Sequence, residues 1–280
     1  MRKRRNTKRR RRIILIIKGS IFIITVCAMF SFLTSKNGSQ TSLPSTFPPT
    51  DKVAENTLPK STKISIKGLS QEGIPTGCES VSTVAVLQHY GVNITIDEFI
   101  NNFLPCKEFY KIGSKVYGAN PHEYFSGNPY KTASLGCYPK VILKALNEMK
   151  NSKTVQTSDP KMYPEIKNLD FRNTTGSSID ALTTQYIDNQ IPVILWVTIH
   201  MKQPYEGMKY YLEDGTLYTW TAQEHCTVLC GYDQNFYYLM DPLRDGEIVA
   251  YPKDLVKQRY NELGKYSLVI HPSSSPKTIV

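Results

Sequence analysis

Hydrophobic and polar positions divide the chain into stretches of different character. Residues 13–34 form an almost continuous apolar run, whereas residues 35–62 are rich in Ser, Thr and Pro and lack apolar periodicity. Residues 63–272 alternate between helix-like and strand-like patterns, and residues 273–280 form a short tail. The pattern predicts an apolar segment, a semi-extended linker, one folded domain and a C-terminal tail.

The first half of the domain favours helices. Apolar residues at mostly helical spacing predict a helix over 79–90. The capping-box residues Thr95 and Glu98 predict a second helix over 96–103. Residues 104–137 are rich in Gly and Pro and are expected to be mostly loop, and so long a loop in a compact domain is usually functional.

The second half alternates helices with strands. A short strand is expected near residues 64–69, and the remaining helices are predicted over 138–150, 178–189 and 252–263. Further strands are predicted over 191–199, 218–221, 226–232, 236–240 and 266–270. Helices that come first and antiparallel strands that come later indicate an α+β fold.

Charge is concentrated at the N-terminus. The net charge is +10, but residues 1–18 hold ten of the 34 Lys and Arg and no acid, so the 24 basic residues that remain balance the 24 acidic ones. A formally neutral domain argues against nucleic acid as a partner. Residues 1–12 are predicted to be a basic cytoplasmic tail.

The run over 13–34 is long enough for a membrane anchor. Counted from Ile13 it reaches about 20 residues, the length that a bilayer core requires, and its only charge, Lys18, can reach the headgroups. The positive-inside rule then places the domain outside the cytoplasm. A cleaved signal peptide with secretion, or a lipoprotein signal ending at Cys27, are alternatives, although no clear cleavage site supports them.

The six cysteines leave the disulfide state open. Cys27 lies in the apolar run. Cysteines 226 and 230 would lie on one strand, too far apart to bond each other. The four remaining cysteines are Cys106, Cys137, Cys226 and Cys230. They either form disulfides within this set or are all buried as small side chains. Because there is no Cys-x-x-Cys pair, a structural zinc site is not expected, and no cofactor is predicted.

Cys78 stands where a Pro/Gly turn meets the first predicted helix. A thiol at a helix N-terminus lies at the positive end of the helix dipole, which favours thiolate. A cysteine nucleophile also needs a base, a group that orients the base, and donors for the oxyanion. By residue type, His225, Asp241 and Gln71 meet these needs.

The predicted hairpin over 226–240 supports this grouping. A turn at Asp233 and Gln234 places Asp241 within one residue of the position opposite His225. Backbone N–H groups at the start of the Cys78 helix, with the Gln71 side chain, would form the oxyanion hole. Each of these residues alone is more often a packing, capping or turn residue, so it is the joint pattern that favours catalysis. An aromatic cluster before His225 lines either a groove or a sheet core: Tyr205, Tyr210, Tyr211, Tyr218 and Trp220.

Three separated motifs carry a family resemblance. They are QEGIPTGCESVST at 71–83 with LQHYG at 87–91, HEYFSGNPY at 122–130, and EHCTVLCGYD at 224–233 with YLMDPL at 238–243. Together they resemble the bacterial C39-like peptidase family of the papain-like superfamily, over about residues 64–270. The resemblance implies a papain-like cysteine peptidase fold, in which a nucleophile helix packs on an antiparallel sheet. It also implies the site roles: Cys78 as nucleophile, His225 as base, Asp241 as orienting residue and Gln71 as oxyanion donor.

The expected function is therefore a membrane-anchored, extracytoplasmic cysteine peptidase that hydrolyses amide bonds in peptide or protein substrates. Two alternatives remain. One is a peptidoglycan-peptide hydrolase with the same triad, and the other is a non-catalytic cell-surface binding domain. The oligomeric state is not predicted.

Overall fold

The computed structural model describes residues 60–152 and 163–273. The predicted basic tail, the apolar run, the linker up to residue 59 and residues 274–280 lie outside the described residues, as does Cys27. These segments and their boundaries therefore stay predictions. Among the helices of the two described ranges, none has the length and apolar character to cross a membrane.

The helices of the described ranges follow the predicted order. They are α1 (Cys78–His89), α2 (Ile96–Asn102), α3 (Pro139–Asn151), α4 (Ile179–Gln185) and α5 (Lys253–Glu262). The strands are β1 (Thr62–Lys63), β2 (Cys106–Lys107), β3 (Tyr110–Ile112), β4 (Lys115–Tyr117), β5 (Phe125–Ser126), β6 (Leu169–Asn173), β7 (Val193–Thr198), β8 (Tyr205–Tyr211), β9 (Leu217–Ala222), β10 (Glu224–Tyr232), β11 (Phe236–Asp241), β12 (Glu247–Pro252) and β13 (Ser267–Pro272).

One antiparallel sheet forms the centre of the domain. Its strand order is β12-β11-β10-β7-β13-β6, and β1 pairs with the far end of β10. Every residue of β7 and β10 is buried, as expected for strands covered on both faces. Helix α1 packs on β10, and its Ser82 hydroxyl donates to the Cys226 carbonyl at 3.2 Å. The predicted α+β fold, with the Cys78 helix on an antiparallel sheet, is confirmed.

A second, smaller sheet accompanies the central one. Its strand order is β3-β4-β8-β9, and β2 pairs with β5 separately as a parallel pair. Between Glu206 and Lys209 the register of β8 against β9 shifts, which places a bulge over Gly207 and Met208. This sheet contains most of the exposed large apolar side chains of the domain, including Ile112, Tyr205 and Leu217.

Local signals explain several element boundaries. Thr95 Oγ1 accepts from Glu98 N at 3.1 Å while Glu98 Oε2 accepts from Thr95 N at 2.8 Å, so the predicted capping box is present at the start of α2. After α1, Gly91 has a φ of +81°, a conformation that glycine adopts without strain. Both helices accordingly begin and end within one residue of their predicted limits.

Other elements differ from the prediction. Residues 64–69 are not a strand, because only Thr62 and Lys63 pair with β10, although Ile64 N still donates to Cys230 O at 2.7 Å. Helix α4 ends at Gln185 and a separate 3-10 turn covers Ile187–Asn189. The stretch over 104–137 is largely irregular, as expected, but contains four short strands that the pattern does not predict. Strands β6, β8 and β12 are also absent from the prediction.

The segment that leads to α1 is held by backbone contacts rather than by a strand. A Cβ on Gly68 would lie 1.9 Å from Gly246 O, and a Cβ on Gly246, whose φ is +76°, would lie 2.4 Å from Leu69 N. Two residues further on, Gln71 N donates to Pro242 O, directly after β11, at 3.1 Å. The close approach therefore fixes Gln71 beside the end of β11.

Candidate active site

Cys78 is the first residue of α1. The N-cap residue is Gly77, which offers no side-chain cap, and a Cβ there would lie 2.3 Å from the Ile74 side chain, so the turn before Cys78 is tightly packed. Cys78 itself is 6% exposed. It is one of the residues that line a cleft.

His225 and Asp241 form a buried pair at the ends of β10 and β11. His225 Nε2 donates to Asp241 Oδ1 at 2.7 Å, and both side chains are 2% exposed. The same Oδ1 accepts from Leu243 N at 3.0 Å. Because Nε2 is engaged by Asp241, Nδ1 is the ring nitrogen that remains for a partner in the cleft. Burial raises the pKa of Asp241, but the hydrogen bond and charge of His225 outweigh burial and hold it below 3.8.

A cleft of about 330 Å³ brings three of the predicted site residues together: Gln71, Cys78 and His225 all line it. Asp241 does not line the cleft and lies behind His225. The small sheet also contributes to the lining, with Tyr205 and Trp220 among its residues.

The aromatic cluster before His225 therefore has two roles. Tyr205 and Trp220 line the cleft, whereas Tyr210 is buried and hydrogen-bonded to Ala119 O at 3.1 Å. Some residues of the cluster thus line a groove, and others belong to the core.

Gln71 lines the cleft from the segment before α1. The residue is 6% exposed, and its Nε2 donates to Pro75 O at 3.4 Å, a long and weak hydrogen bond. Among the described residues its Oε1 has no hydrogen-bond partner. The amide is thus held in place mainly by its backbone, and its N–H groups can turn towards a ligand in the cleft at little cost.

Two carboxylates lie next to the predicted site residues and were not predicted from the sequence. Glu79 follows Cys78 and is fully buried; its Oε1 accepts from Cys137 N at 2.6 Å, and its Oε2 accepts from the Cys78 thiol at 3.4 Å. Glu224 precedes His225 and is 8% exposed. A Cβ on Gly136 would lie 2.5 Å from Glu79 Oε1 and 3.1 Å from Glu224 Oε2, so both acids converge on the same glycine. The sequence signal that could have identified them is their position, directly after Cys78 and directly before His225.

These acids change the electrostatics of Cys78. Burial raises the pKa of the Cys78 thiol well above 9.0, and the negative charges of Glu79 and Glu224 raise it further. Burial likewise raises the pKa of Glu79 to about 7, and burial together with the charge of Glu79 raises that of Glu224 well above 4.5. The helix dipole favours thiolate at Cys78, whereas burial and the two acids shift its pKa in the opposite direction.

The other described cysteines are free thiols, so the alternative of disulfide pairing among them is wrong. Cys137, Cys226 and Cys230 are buried, as the packing alternative requires, but Cys106 is exposed. Cys106 therefore provides an accessible thiol outside the cleft that lines a separate pocket.

Sequence and structure comparisons find relatives in Bacillus. The chain is 26% identical over 166 residues to the uncharacterized protein YvpB of Bacillus subtilis (strain 168), a match that covers 59% of this chain and 58% of YvpB. It thus spans less than two thirds of that relative. A solved structure from Bacillus anthracis, of a protein classed as a C39-like peptidase, is similar with a TM-score of 0.61 and 24% identity, covering 77% of this chain and 100% of that one.

A cysteine protease of Carica candamarcensis matches less well, with a TM-score of 0.41 and 16% identity over 77% of this chain and 99% of that one. A family-level comparison also gives a match. A model of the Peptidase_C39 like family matches residues 63–268, nearly the whole described domain, and the chain therefore belongs to this family.

Proposed function

We propose that the protein is a cysteine peptidase that hydrolyses amide bonds in peptides. The observation that carries the proposal is the shared cleft, in which Cys78, His225 and Gln71 meet while Asp241 holds His225 at 2.7 Å from behind. A nucleophile, a base, an orienting carboxylate and an oxyanion donor are the parts that thiol-based acyl transfer requires. Family membership supports the same reaction class.

The reaction begins with proton transfer from Cys78 Sγ to His225 Nδ1. Asp241 stabilises the resulting imidazolium through the bond to Nε2. The sulfur then forms a bond to the carbonyl carbon, and negative charge moves to the carbonyl oxygen.

The oxyanion is stabilised by N–H donors at the start of α1 and by Gln71 Nε2. Each such donor lowers the barrier by about 3 to 4 kcal/mol. The imidazolium of His225 then protonates the leaving amine, the C–N bond breaks, and a thioester remains on Cys78. Water, deprotonated by His225, attacks the thioester and releases the acid product together with the thiol.

The cleft wall supports a peptide with apolar side chains as substrate. Tyr205, Met208 and Leu243 line the cleft and are among the exposed large apolar residues of the domain. Such side chains bind apolar groups of an extended chain by removing their surface from water. No described residue that lines the cleft is a Lys or Arg.

Labelling with an electrophilic peptide library tests the nucleophile. In the full-length protein we expect one adduct at Cys78, found by mass spectrometry, and no adduct or hydrolysis for Cys78→Ala. The matched control is Cys106→Ala, which removes an exposed thiol outside the cleft and should label like the wild type. Labelling of Cys106 alone, or hydrolysis that survives Cys78→Ala, contradicts the proposal.

The same variants separate the two substrate classes. Unfolded protein and purified peptidoglycan are incubated with the wild type and with Cys78→Ala, and products are identified by mass spectrometry. We expect Cys78-dependent cleavage of the unfolded protein. Cleavage of the peptidoglycan peptides alone would support the peptidoglycan-peptide hydrolase instead. Cleavage of neither substrate would favour the binding-domain alternative.

The proposed location is the outer face of the cell membrane, with the peptidase domain extracytoplasmic. Its support is the sequence alone, in which ten basic residues within 1–18 precede and enter the apolar run over 13–34. In intact cells, added protease should digest the domain, and the protein should remain in the membrane fraction. A domain protected from protease contradicts this location, and a mature N-terminus beyond residue 34 would show cleavage and secretion instead.

A further inference from the structure

A compact set of metal-ligand atoms lies at the candidate nucleophile. The sulfur of Cys78 and one carboxylate oxygen each of Glu79 and Glu224 lie within 4.8 Å of one another. Glu79 Oε2 already faces the sulfur at 3.4 Å. Two elements that are distant in sequence, α1 and β10, thus deliver three potential anionic ligands to one point.

This set lacks a cation to balance it. Between described residues, no Lys, Arg or His forms an ion pair with Glu79 or Glu224. Buried charges in proteins are normally paired or coordinate a metal.

An independent sign of a ligand is the unpartnered oxygen of Glu224. Glu224 is 8% exposed, and its Oε1 has no hydrogen-bond partner among the described residues. The residue lines the same cleft as Cys78, so an ion can reach it from solvent. A buried oxygen left without a partner is unfavourable unless a proton or cation fills the site.

We propose that Cys78, Glu79 and Glu224 bind a divalent transition-metal cation of the zinc class. Zinc binds thiolate at about 2.3 Å and carboxylate oxygen at about 2.0 to 2.2 Å, so its ligand atoms lie roughly 3.3 to 3.8 Å apart. The Cys78 sulfur and Glu79 Oε2, at 3.4 Å, already fit this range, and the 4.8 Å limit on the separations within the set exceeds it by about 1 to 1.5 Å. Glu224 is the ligand that we expect to move, because its Oε1 has no hydrogen bond to break among the described residues.

The donor set selects this class of metal. A thiolate favours zinc, cobalt and cadmium, whereas magnesium and calcium prefer oxygen ligands alone. Binding replaces the thiol proton of Cys78 and any proton on the acids, and these protons are released to solvent. A fourth position on the ion remains for water.

The consequence for activity rests on the proposed function. An ion on Cys78 Sγ occupies the electron pair that would attack the substrate, so the metal is a reversible inhibitor and a chelator restores hydrolysis. Binding itself does not depend on the protein being a peptidase. The two ideas can therefore fail separately.

Cobalt alone is the probe for the site. Metal-free full-length protein is titrated with Co²⁺, and we expect a saturable thiolate-to-cobalt charge-transfer absorption that Zn²⁺ displaces and Mg²⁺ does not. Cys78→Ala should remove the absorption. Glu224→Gln, nearly identical in shape, should weaken the affinity roughly tenfold or more, because one anionic ligand is lost. Cys106→Ala is the matched control and should bind like the wild type.

A second readout needs no variant. Zn²⁺ should protect Cys78 in the wild type from alkylation by iodoacetamide, while Cys106 reacts at an unchanged rate. The site is refuted if no charge-transfer absorption appears, if it survives Cys78→Ala, if Glu224→Gln binds as tightly as the wild type, or if Zn²⁺ leaves alkylation of Cys78 unchanged. Metal binding without any peptidase activity upholds the site and refutes the proposed function. Cys78-dependent hydrolysis without metal binding does the reverse.

Discussion

Replacing Asp241 separates its structural role from its charge. Its Oδ1 accepts from His225 Nε2 at 2.7 Å and from Leu243 N at 3.0 Å in a buried setting. Asp241→Ala removes the acceptor and leaves one buried donor, on His225, and one part-buried donor, Leu243 N, unpaired, so we predict a loss of about 3 to 5 kcal/mol in the free energy of unfolding. Asp241→Asn keeps an oxygen that accepts both bonds, and its predicted loss is about 1 to 2 kcal/mol.

Thermal unfolding followed by circular dichroism measures the difference. For a domain of this size each kcal/mol corresponds to roughly 2 to 4 °C, so Asp241→Ala should melt about 6 to 20 °C below the wild type. Asp214→Ala is the matched control, because Asp214 is exposed and only accepts from the nearby Thr216 N. Its melting temperature should stay close to that of the wild type.

The pH dependence adds a sharper test. The pKa of Asp241 in the folded protein lies below 3.8, so its charge stabilises the fold above that pH, and this contribution is lost as the pH falls through the folded-state pKa. The gap between wild type and Asp241→Asn should therefore be full at neutral pH and shrink in acid below 3.8. Equal melting of Asp241→Ala and the wild type at neutral pH, or a gap that widens in acid, would refute the reasoning.

Three further substitutions test how the fold holds the site. Gly246→Ala places a Cβ within 2.4 Å of a backbone nitrogen, at a residue whose φ is +76°. In urea unfolding it should lose more stability than Gly215→Ala, because Gly215 has a similar φ of +86° but open space around it. Equal losses would contradict the close contact. Trp196→Phe removes a 2.9 Å hydrogen bond to the buried carbonyl of Cys137. In the same assay it should lower the free energy of unfolding by about 1 to 3 kcal/mol more than Trp220→Phe does. Equal losses would argue against that bond. Thr95→Ala removes the capping box of α2 and should lower the unfolding free energy by about 1 kcal/mol, a loss that Thr95→Ser should largely restore.

Local signals in the sequence were sufficient for the elements that local contacts determine. The capping box fixed the start of α2, and the β-branched run before Thr198 identified β7 because that strand is buried on both faces. Strand β8 was missed for the opposite reason. It pairs within a small sheet that water reaches on both sides, so its side chains show no apolar alternation.

The candidate site could be predicted in part. The order of Cys78, His225 and Asp241 along the chain was visible, and the structure does hydrogen-bond the last two. The hairpin register differs from the predicted one, because Val228 pairs with Met240 and a register shift lies between Leu229 and Gly231. Glu79 and Glu224 were not visible as a pair, because only packing of α1 on β10 brings them to the same glycine. The burial and the acids that raise the pKa of Cys78 were not visible either, because desolvation depends on the whole fold, whereas the helix dipole can be inferred from one segment.

Helix α1 is buried from Cys78 to Leu87, whereas the small sheet exposes many of its side chains. A substitution in the helix therefore disturbs packed neighbours, whereas many substitutions in the sheet change only solvent-exposed side chains. During divergence within the family, or in a directed-evolution experiment, the reactive centre should stay constant while the small sheet changes. If the proposed function holds, new specificities should arise by sequence change in β8 and β9, while the residues of α1 stay as they are.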